Sequence, residues 1–261
     1  MIFVRNGAVP YYQFASFLSC DFIDHAVFTR QGGVSQGAFS SLNLSSAVAD
    51  EREAIAENRQ RAYGSTGRST QTLVHAHLTH GNDVLEVGAR HYGTTPGQAD
   101  GLISAEPGCG ITMNYADCAP IFLVDPINRA IAVGHAGWQG TVQDVPGAMV
   151  QAMAAAYGSR PADLLAGIGP CIGPDQYEVD EPVISAVQAS FADPAELLRP
   201  QPGKTRPHFD IPLANQRNLE RAGVRQIEQA GLCTASNTDL FFSHRAEKGR
   251  TGRFGVILQL R

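Results

Sequence analysis

The sequence predicts an α/β fold of the α+β type, built on mixed β-sheets, and three observations support this prediction. The 261 residues, with 43% hydrophobic and 17% charged side chains, can bury a substantial core. Short β-type runs arrive in groups bounded by Gly, Pro, Asn and Asp. Helical patterns lie between some of these groups without strict alternation, which argues against a doubly wound parallel sheet.

The predicted strands are short apolar runs that lie between turn-forming residues. They cover residues 26–29, 84–87, 110–115, 120–124, 130–134, 164–169, 240–243 and 254–260. The stretch 193–210 contains four prolines and is the best candidate for a loop. Because no change in composition divides the chain, we expect one domain over residues 1–261.

The predicted helices are bounded by capping residues. They cover residues 50–64, 144–158, 181–191 and 211–222. Asp50 and Asp144 are suitable N-cap residues because a carboxylate can accept a hydrogen bond from the first helical turn. Gly64 and Gly158 can end the first two helices, since glycine adopts the left-handed conformation at little cost.

Composition and cysteine usage exclude several classes of protein. The net charge of −5 gives no electrostatic signature of nucleic-acid binding. No stretch approaches the roughly 20 apolar residues of a membrane span, and the N-terminus has no secretory pattern. The five cysteines are scattered and odd in number, which argues against a disulfide framework. We therefore expect a protein of the reducing cytoplasm.

Three candidate ligands stand where apolar runs meet Gly- or Pro-rich turns: His80, Cys118 and His135. One thiolate and two imidazoles suit zinc, and three protein ligands leave a position open for water or substrate. Each residue taken alone is more often an ordinary packed side chain. A structural zinc would need a fourth protein ligand, for which His77 and Cys109 are the available candidates.

Other known sites fit less well. The sequence contains neither a P-loop, nor a zincin H-E-x-x-H, nor the H-x-E and P-C-x-x-C pair of zinc deaminases. Copper is disfavoured because a blue-copper centre usually adds an axial Met close to its Cys, whereas Met113 precedes Cys118 on a predicted strand. The eight histidines are also few for a full multicopper complement.

A thiol nucleophile remains a chemical alternative to a metal site. Cys118 with His135 as its base would suit acyl transfer or amide hydrolysis, provided that a third group orients the imidazole. Asp117 is a poor orienter for His135, because Asp117 and Cys118 are neighbours and point to opposite faces of a strand. Asp117 is also a candidate for proton transfer, although a structural carboxylate in a turn is an equally good explanation.

Several short motifs occur in a characteristic order along the chain. They are Phe28-Thr29-Arg30-Gln31-Gly32-Gly33-Val34-Ser35, Ser41-Leu42-Asn43-Leu44, Glu57-Asn58-Arg59, His80-Gly81, Ala116-Asp117-Cys118-Ala119-Pro120-Ile121, His135-Ala136-Gly137-Trp138, Gly169-Pro170-Cys171-Ile172-Gly173-Pro174, Tyr177-Glu178-Val179, Asn215, Cys233-Thr234, Phe241-Phe242-Ser243 and Gly252-Arg253. This ordered set resembles the YfiH-like family. Its members were formerly called polyphenol oxidases or laccase-domain proteins and are now regarded as purine nucleoside phosphorylases.

The resemblance implies a fold, a metal and an activity. It implies a single domain in which mixed sheets are layered between helices. His80, Cys118 and His135 match the zinc ligands of the family. The implied substrates are phosphate and the purine nucleosides adenosine, inosine, guanosine and methylthioadenosine, and the implied second activity is deamination of adenosine. Leu78 and Gln139 depart from the family pattern, which usually has Gln and Arg at these positions.

A phosphate-handling pocket would require anion-binding side chains. Arg30, on the turn into the Gly32-Gly33 pair, and Arg59 are our candidates, because the planar guanidinium suits phosphate oxygens. Asn43 is a candidate neutral donor. For Arg59, an ordinary surface ion pair with Glu51 or Glu57 is the competing explanation.

Overall fold

The computed structural model describes residues 1–5, 7–67, 70–203 and 205–261. Within these ranges the strands are β1 (Ile2–Val4), β2 (Tyr11–Gln13), β3 (Ile23–Phe28), β4 (Leu73–Val74), β5 (Val84–Glu86), β6 (Gly101–Ser104), β7 (Gly110–Tyr115), β8 (Ala119–Asp125), β9 (Ala130–Ala136), β10 (Leu165–Ile168), β11 (Leu198–Arg199), β12 (His208–Phe209), β13 (Gln226–Gln229) and β14 (Phe254–Leu260). The α-helices are α1 (Arg52–Gly64), α2 (Trp138–Val142), α3 (Val145–Tyr157), α4 (Val183–Ser190), α5 (Pro194–Leu197) and α6 (Ile211–Arg221).

The strands form two large mixed sheets and one small hairpin. The first sheet has the order β1-β2-β3-β14-β7-β4, and the second has the order β13-β10-β8-β9-β6-β5. The pairs β4–β7, β5–β6 and β10–β13 are parallel, and the other pairs within the large sheets are antiparallel. Strands β11 and β12 pair separately. The predicted mixed-sheet α/β fold is therefore confirmed.

The two sheets pack face to face between helical layers. Phe122 and Val133 of the second sheet meet Val256 and Met113 of the first in one apolar cluster. The opposite face of the second sheet is covered by α3, α4 and α6, whereas α1 covers the outer face of the first. The central strands β8, β9 and β14 are thus buried on both faces, which explains why they are continuous apolar runs rather than alternating ones. No helix in the described ranges is both long and apolar enough to cross a bilayer.

Helix α3 follows from its sequence as predicted. Asp144 caps it by accepting a hydrogen bond from the Gly147 amide at 2.9 Å, and Gly158 ends it in the left-handed conformation at φ 70°. Met149 and Met153 are fully buried against the second sheet. The four-residue spacing of these side chains produces one apolar stripe that faces the sheet.

The β8–β9 hairpin brings two of the predicted ligands together. Its turn is held by the Asp125 carboxylate, which accepts from the amides of Ile127 and Asn128. Pairing runs from Asp125↔Ala130 to Ala119↔Ala136. Cys118 precedes the first of these strands and His135 lies near the end of the second, so both stand at the open end of the hairpin.

Three predictions about local structure are wrong. Residues 240–243 form a turn instead of a strand, in which Leu240 and Phe241 both donate to the Asn237 carbonyl; Phe241 is nevertheless fully buried, which explains the misleading apolar run. Residues 193–210 contain α5 and the β11–β12 hairpin rather than a simple loop. Asp50 does not cap α1, because its carboxylate accepts from Ser35 and Asn43 instead.

The contact between α3 and the second sheet depends on a missing side chain at Gly134 in β9. A Cβ there would lie 2.3 Å from Met149 Sδ. We expect Gly134→Ala to lower the free energy of unfolding by about 1–3 kcal/mol, because the overpacked helix must move away from the sheet. Urea unfolding measures this change.

Gly64→Ala is the matched control, since a Cβ at Gly64 would meet no atom within 4 Å. We expect this substitution to stabilise the protein by up to about 1 kcal/mol, as alanine favours the helix. Equal unfolding midpoints for the two variants would contradict this description of the packing.

Candidate metal centre

His80, Cys118 and His135 converge in the structure. Their ligand atoms lie within 4.8 Å of one another, and the two imidazole rings stand 5.0 Å apart at 81°. His80 comes from the loop between β4 and β5, and the other two come from the open end of the β8–β9 hairpin. Among the described residues, no fourth His, Cys, Asp or Glu joins this group. The three side chains could therefore hold a metal ion and leave it open to a further ligand.

Asp100 connects the two histidines. It is fully buried immediately before β6. One carboxylate oxygen, Oδ1, lies 3.1 Å from His135 Nδ1 and accepts a hydrogen bond from the His80 amide at 3.0 Å. The Asp100 carbonyl also accepts from the His135 amide at 2.7 Å. A single residue thus fixes the side chain of one histidine and the backbone of the other.

The second oxygen of Asp100 shapes the loop that carries His80. Oδ2 accepts from the Thr79 amide at 3.0 Å, from the Thr79 hydroxyl at 2.8 Å and from the Gly81 amide at 2.9 Å. His80 itself has a φ of 60°, a left-handed conformation that a histidine rarely adopts. These hydrogen bonds compensate the cost of that conformation and turn the imidazole toward Cys118.

The electrostatics of the group favour a thiolate next to well-oriented imidazoles. Burial raises the pKa of Asp100, but hydrogen bonds from His135, Thr79 and Gly81 outweigh it and lower the pKa to about 2. An ionised carboxylate only accepts, so His135 Nδ1 donates to it and Nε2 remains available as a ligand. Burial also raises the pKa of Cys118, but His135 and His80 lower it below its ordinary value.

The effect on the imidazole is reciprocal. Burial lowers the pKa of His135, but the nearby Cys118 and Asp100 raise it above its ordinary value. A thiolate paired with imidazoles can attract a metal cation and can equally act as a nucleophile. The donor set fits zinc, which binds Cys sulfur and His nitrogen in open three-ligand sites.

Gly137 gives the cluster the space it needs. A Cβ at this position would lie 2.9 Å from Cys118 Sγ and 3.6 Å from His80 Cδ2. The backbone that leads from β9 into α2 can therefore approach the sulfur closely only because residue 137 has no side chain. The His135-Ala136-Gly137-Trp138 motif thus combines a ligand with the glycine that makes room for it.

Asp117 anchors the turn that carries Cys118. Its φ is 86°, and its side chain accepts hydrogen bonds from the Thr234 hydroxyl and the Arg245 amide, both at 2.6 Å. Its carbonyl accepts from the Ile172 amide at 2.9 Å. Three separate loops are thereby joined beside the candidate metal ligands.

A cavity of about 780 Å³ opens over the three ligands. Trp138 and Tyr177 contribute aromatic surface to its wall, and His75 and His77 also line it. A volume of this size accommodates a small organic ligand. Leu78 and Gln139, the two positions that depart from the family pattern, both face this cavity.

The candidate phosphate residues have different positions. Arg59 lines the cavity, and its Nε donates to the Leu44 carbonyl at 2.9 Å. Arg30 is absent from the cavity wall in the described part of the chain, and its guanidinium binds the carbonyls of Ser40 and Thr238 and pairs with Glu247 at 3.0 Å.

Asn43 also lies behind the wall rather than on it, as far as the described residues extend. Its Oδ1 accepts from the amides of Ser45 and Arg253, and its Nδ2 donates to Asp50. Asn43 therefore supports residues that reach the cavity. Contact of Arg59 with substrate stays a prediction.

The structure adds residues that the sequence did not indicate. Asp100 precedes a glycine, and an Asp-Gly pair is a turn signal that says nothing about a metal centre. Arg245 and Arg253 line the cavity but come from the far end of the chain. The Gly252-Arg253 motif was the available signal for the second of these.

Comparison with known proteins identifies the family. Residues 24–261 match the family model described as multi-copper polyphenol oxidoreductase laccase. The chain belongs to this laccase family. The predicted resemblance to YfiH-like proteins is therefore confirmed.

Relatives of the chain are named as purine nucleoside phosphorylases rather than as laccases. The chain is 37% identical over 234 residues to purine nucleoside phosphorylase YlmD of Bacillus subtilis (strain 168), with 86% of this chain and 84% of that protein covered. It is 36% identical over 240 residues to a purine nucleoside phosphorylase of Deinococcus radiodurans, with coverage of 91% and 89%.

The fold of the laccase family is also seen in a solved structure. The crystal structure of YlmD from Geobacillus stearothermophilus superimposes with a TM-score of 0.92 at 30% identity, and the match covers 100% of this chain and 99% of that one. The layered mixed-sheet arrangement is therefore shared along the whole chain.

Asp100→Asn tests the role of the carboxylate. The amide keeps the size of the side chain but cannot accept all five hydrogen bonds, so we expect metal affinity to fall about 10- to 100-fold. Competition with a chromogenic chelator measures this change.

Asp83→Asn is the matched control, because Asp83 is an exposed carboxylate whose backbone carbonyl, rather than its side chain, binds the Asp100 amide. Equal metal affinity of the Asp100→Asn variant and the unchanged protein would show that Asp100 does not organise the ligands.

Proposed function

We propose that this protein is a zinc-dependent purine nucleoside phosphorylase. Its proposed substrates are adenosine, inosine, guanosine and methylthioadenosine, with deamination of adenosine as a second activity. The observation that carries the proposal is the convergence of His80, Cys118 and His135 beneath a cavity of about 780 Å³. The names of relatives that share about 36% of their residues with the chain support the substrate class.

We propose zinc as the metal because of the donor set. The sulfur of Cys118 and the imidazoles of His80 and His135 are preferred zinc ligands, and Asp100 keeps one imidazole in the tautomer that a metal requires. When bound in such a site, zinc supplies a Lewis acid that can activate water and stabilise negative charge on a substrate. We propose that a nucleoside in the cavity binds with its reacting atoms facing His80, Cys118 and His135.

The remaining side chains would bind and orient the substrates. Trp138 and Tyr177 offer aromatic surface for a purine base. Arg59 offers a cation to phosphate. We propose that Asp117 supports catalysis by fixing the Cys118 turn, since each of its oxygens already accepts a hydrogen bond within the protein. Leu78 and Gln139 are the positions at which we expect substrate preference to differ within the family.

A metal-free cysteine hydrolase is the second candidate function. One observation favours it: Asp100, His135 and Cys118 follow one another in the order of an orienting acid, a base and a thiol nucleophile. His80, whose ring nitrogen also lies within 4.8 Å of the sulfur, has no role in such a triad but is a natural metal ligand. The position of His80 therefore favours the metal-dependent function.

Copper-dependent oxidation of polyphenols is less favoured. Within the described ranges the structure contains one group of potential metal ligands, whereas multicopper chemistry needs several copper ions. We expect small-molecule partners rather than nucleic acid or membrane. All five cysteines are free thiols, which suits the cytoplasm as the proposed compartment.

The decisive experiment incubates the zinc-loaded protein with adenosine, with and without phosphate. We expect phosphate-dependent release of adenine and phosphate-independent formation of inosine, both followed by chromatography. His80→Ala removes one metal ligand and should lower both rates at least about 100-fold, because charge stabilisation by the metal is lost. Chelation should have the same effect on the unchanged protein.

His91→Ala is the matched control, since His91 lies outside the cavity wall in the described part of the chain and its Nδ1 accepts a local backbone hydrogen bond. This variant should keep full activity. Absence of turnover with all four nucleosides, together with Cys118-dependent ester or amide cleavage that survives chelation, would establish the hydrolase instead.

A further inference from the structure

The charges on the cavity wall differ from those of the whole chain. The protein carries a net charge of −5, yet the described part of the wall includes Arg59, Arg245 and Arg253 and a single carboxylate, Asp117. Both oxygens of that carboxylate already accept hydrogen bonds. The cavity is therefore a positively charged site in an acidic protein, and such a site attracts anions.

The three arginines are held by backbone carbonyls instead of carboxylates. Arg59 donates to the Leu44 carbonyl, Arg245 to the Glu178 carbonyl, and Arg253 to the carbonyls of Thr251 and Gly252. None of the three forms an ion pair within the described residues. Hydrogen bonds to carbonyls fix a guanidinium without neutralising its charge, so that the charge remains available to a ligand.

Arg59 and Arg253 belong to one structural unit. Leu44 connects them, because its carbonyl accepts from Arg59 Nε at 2.9 Å while its amide donates to the Arg253 carbonyl at 3.0 Å. Asn43, the preceding residue, accepts from the Arg253 amide at 2.9 Å. One peptide segment thus holds the guanidinium of Arg59 and the backbone of Arg253. Arg245 belongs elsewhere, since its guanidinium lies 4.8 Å from the Tyr177 ring centroid.

Free donors remain on both side chains. Arg59 uses only Nε and Arg253 uses only Nη1 in hydrogen bonds within the described residues, so their other guanidinium nitrogens are available. The next residues of the segment, Ser45 and Ser46, also reach the cavity and add hydroxyl groups. Two planar cations beside neutral donors match a tetrahedral oxyanion with two negative charges.

The field of this unit extends into the cavity. Burial and the Arg59 charge lower the pKa of His75, which also lines the wall. Burial lowers the pKa of Arg253, while interactions with Cys118, Asp117 and Glu247 act in the opposite direction. Arg253 and Cys118 line the same cavity wall.

We infer that Arg59 and Arg253, together with Ser45 and Ser46, form an oxyanion subsite that binds inorganic phosphate. This inference rests on the proposed phosphorolysis, in which phosphate is the attacking group. A phosphate oxygen forms a bond to the ribose C1′ while the C1′–N9 bond breaks, and its electron pair leaves with the purine. The proton of hydrogen phosphate ends on the purine, so that the products are ribose 1-phosphate and the neutral base.

The test measures phosphate binding directly and apart from turnover. Calorimetric titration of the zinc-loaded protein with inorganic phosphate is compared for the unchanged protein, Arg59→Gln, Arg253→Gln and the double variant. Removal of either guanidinium should weaken phosphate binding about tenfold or more, because a charge-assisted hydrogen bond to the anion disappears with it. In steady-state assays the KM for phosphate should rise by a similar factor, while the KM for the nucleoside changes less than twofold.

Two further variants keep the result interpretable. Arg225→Gln removes the same charge from an exposed site outside the cavity wall and should leave phosphate binding unchanged. Arg253→Lys keeps the charge without the planar fork and should restore part of the affinity, which a folding defect would not explain. Thermal melting of each variant confirms that it is folded.

The outcomes separate this inference from the proposed function. Phosphorolysis by the unchanged protein with unaltered phosphate affinity in the folded double variant would overturn the subsite and leave the function standing. Loss of phosphate binding in the variants of a protein that cleaves no nucleoside would support the subsite and overturn the function. Titration with adenosine monophosphate separates the source of the anion: variants that weaken only this ester, and not inorganic phosphate, would overturn the inference.

Discussion

The Asp100 carboxylate is the constraint on which the candidate site depends. Its two oxygens accept hydrogen bonds from the Thr79 hydroxyl and the amides of Thr79, His80 and Gly81, and they also hold the ring of His135. A buried charge is costly unless it is fully hydrogen-bonded, and these hydrogen bonds provide that compensation. The same interactions hold a loop and a strand end in the one arrangement that points two imidazoles at Cys118.

The position of Cys118 depends on the surrounding fold rather than on the Asp100 carboxylate. The β8–β9 hairpin sets the position of Cys118 relative to His135, and Gly137 leaves room for the sulfur. Beyond the candidate metal ligands, the fixed positive charge of the described cavity wall comes from arginines held by carbonyl groups. A candidate cation site and the proposed anion site thus share one cavity, an arrangement suited to a reaction between a nucleoside and phosphate.

The sequence predicted the features of the fold that depend on interactions between residues close together in the chain. Helix α3 was predictable because Asp144, Gly158 and the spacing of its methionines all act within a few turns. The convergence of His80, Cys118 and His135 was predictable from motifs at strand ends. The contribution of Asp100 was not, because it arises only when β6 lies beside β9. The strand predicted over residues 240–243 was wrong because a buried turn and a buried strand leave the same apolar pattern in the sequence.

The most direct test of the account is a crystal structure of the protein purified with its native metal, with anomalous data collected at the zinc edge. We expect one zinc peak bound by His80, Cys118 and His135, with bonds of about 2.3 Å to sulfur and about 2.0–2.1 Å to nitrogen. A non-protein ligand should complete the coordination, and Asp100 should contact His135 without touching the metal. A metal elsewhere, or Asp100 as a direct ligand, would contradict it.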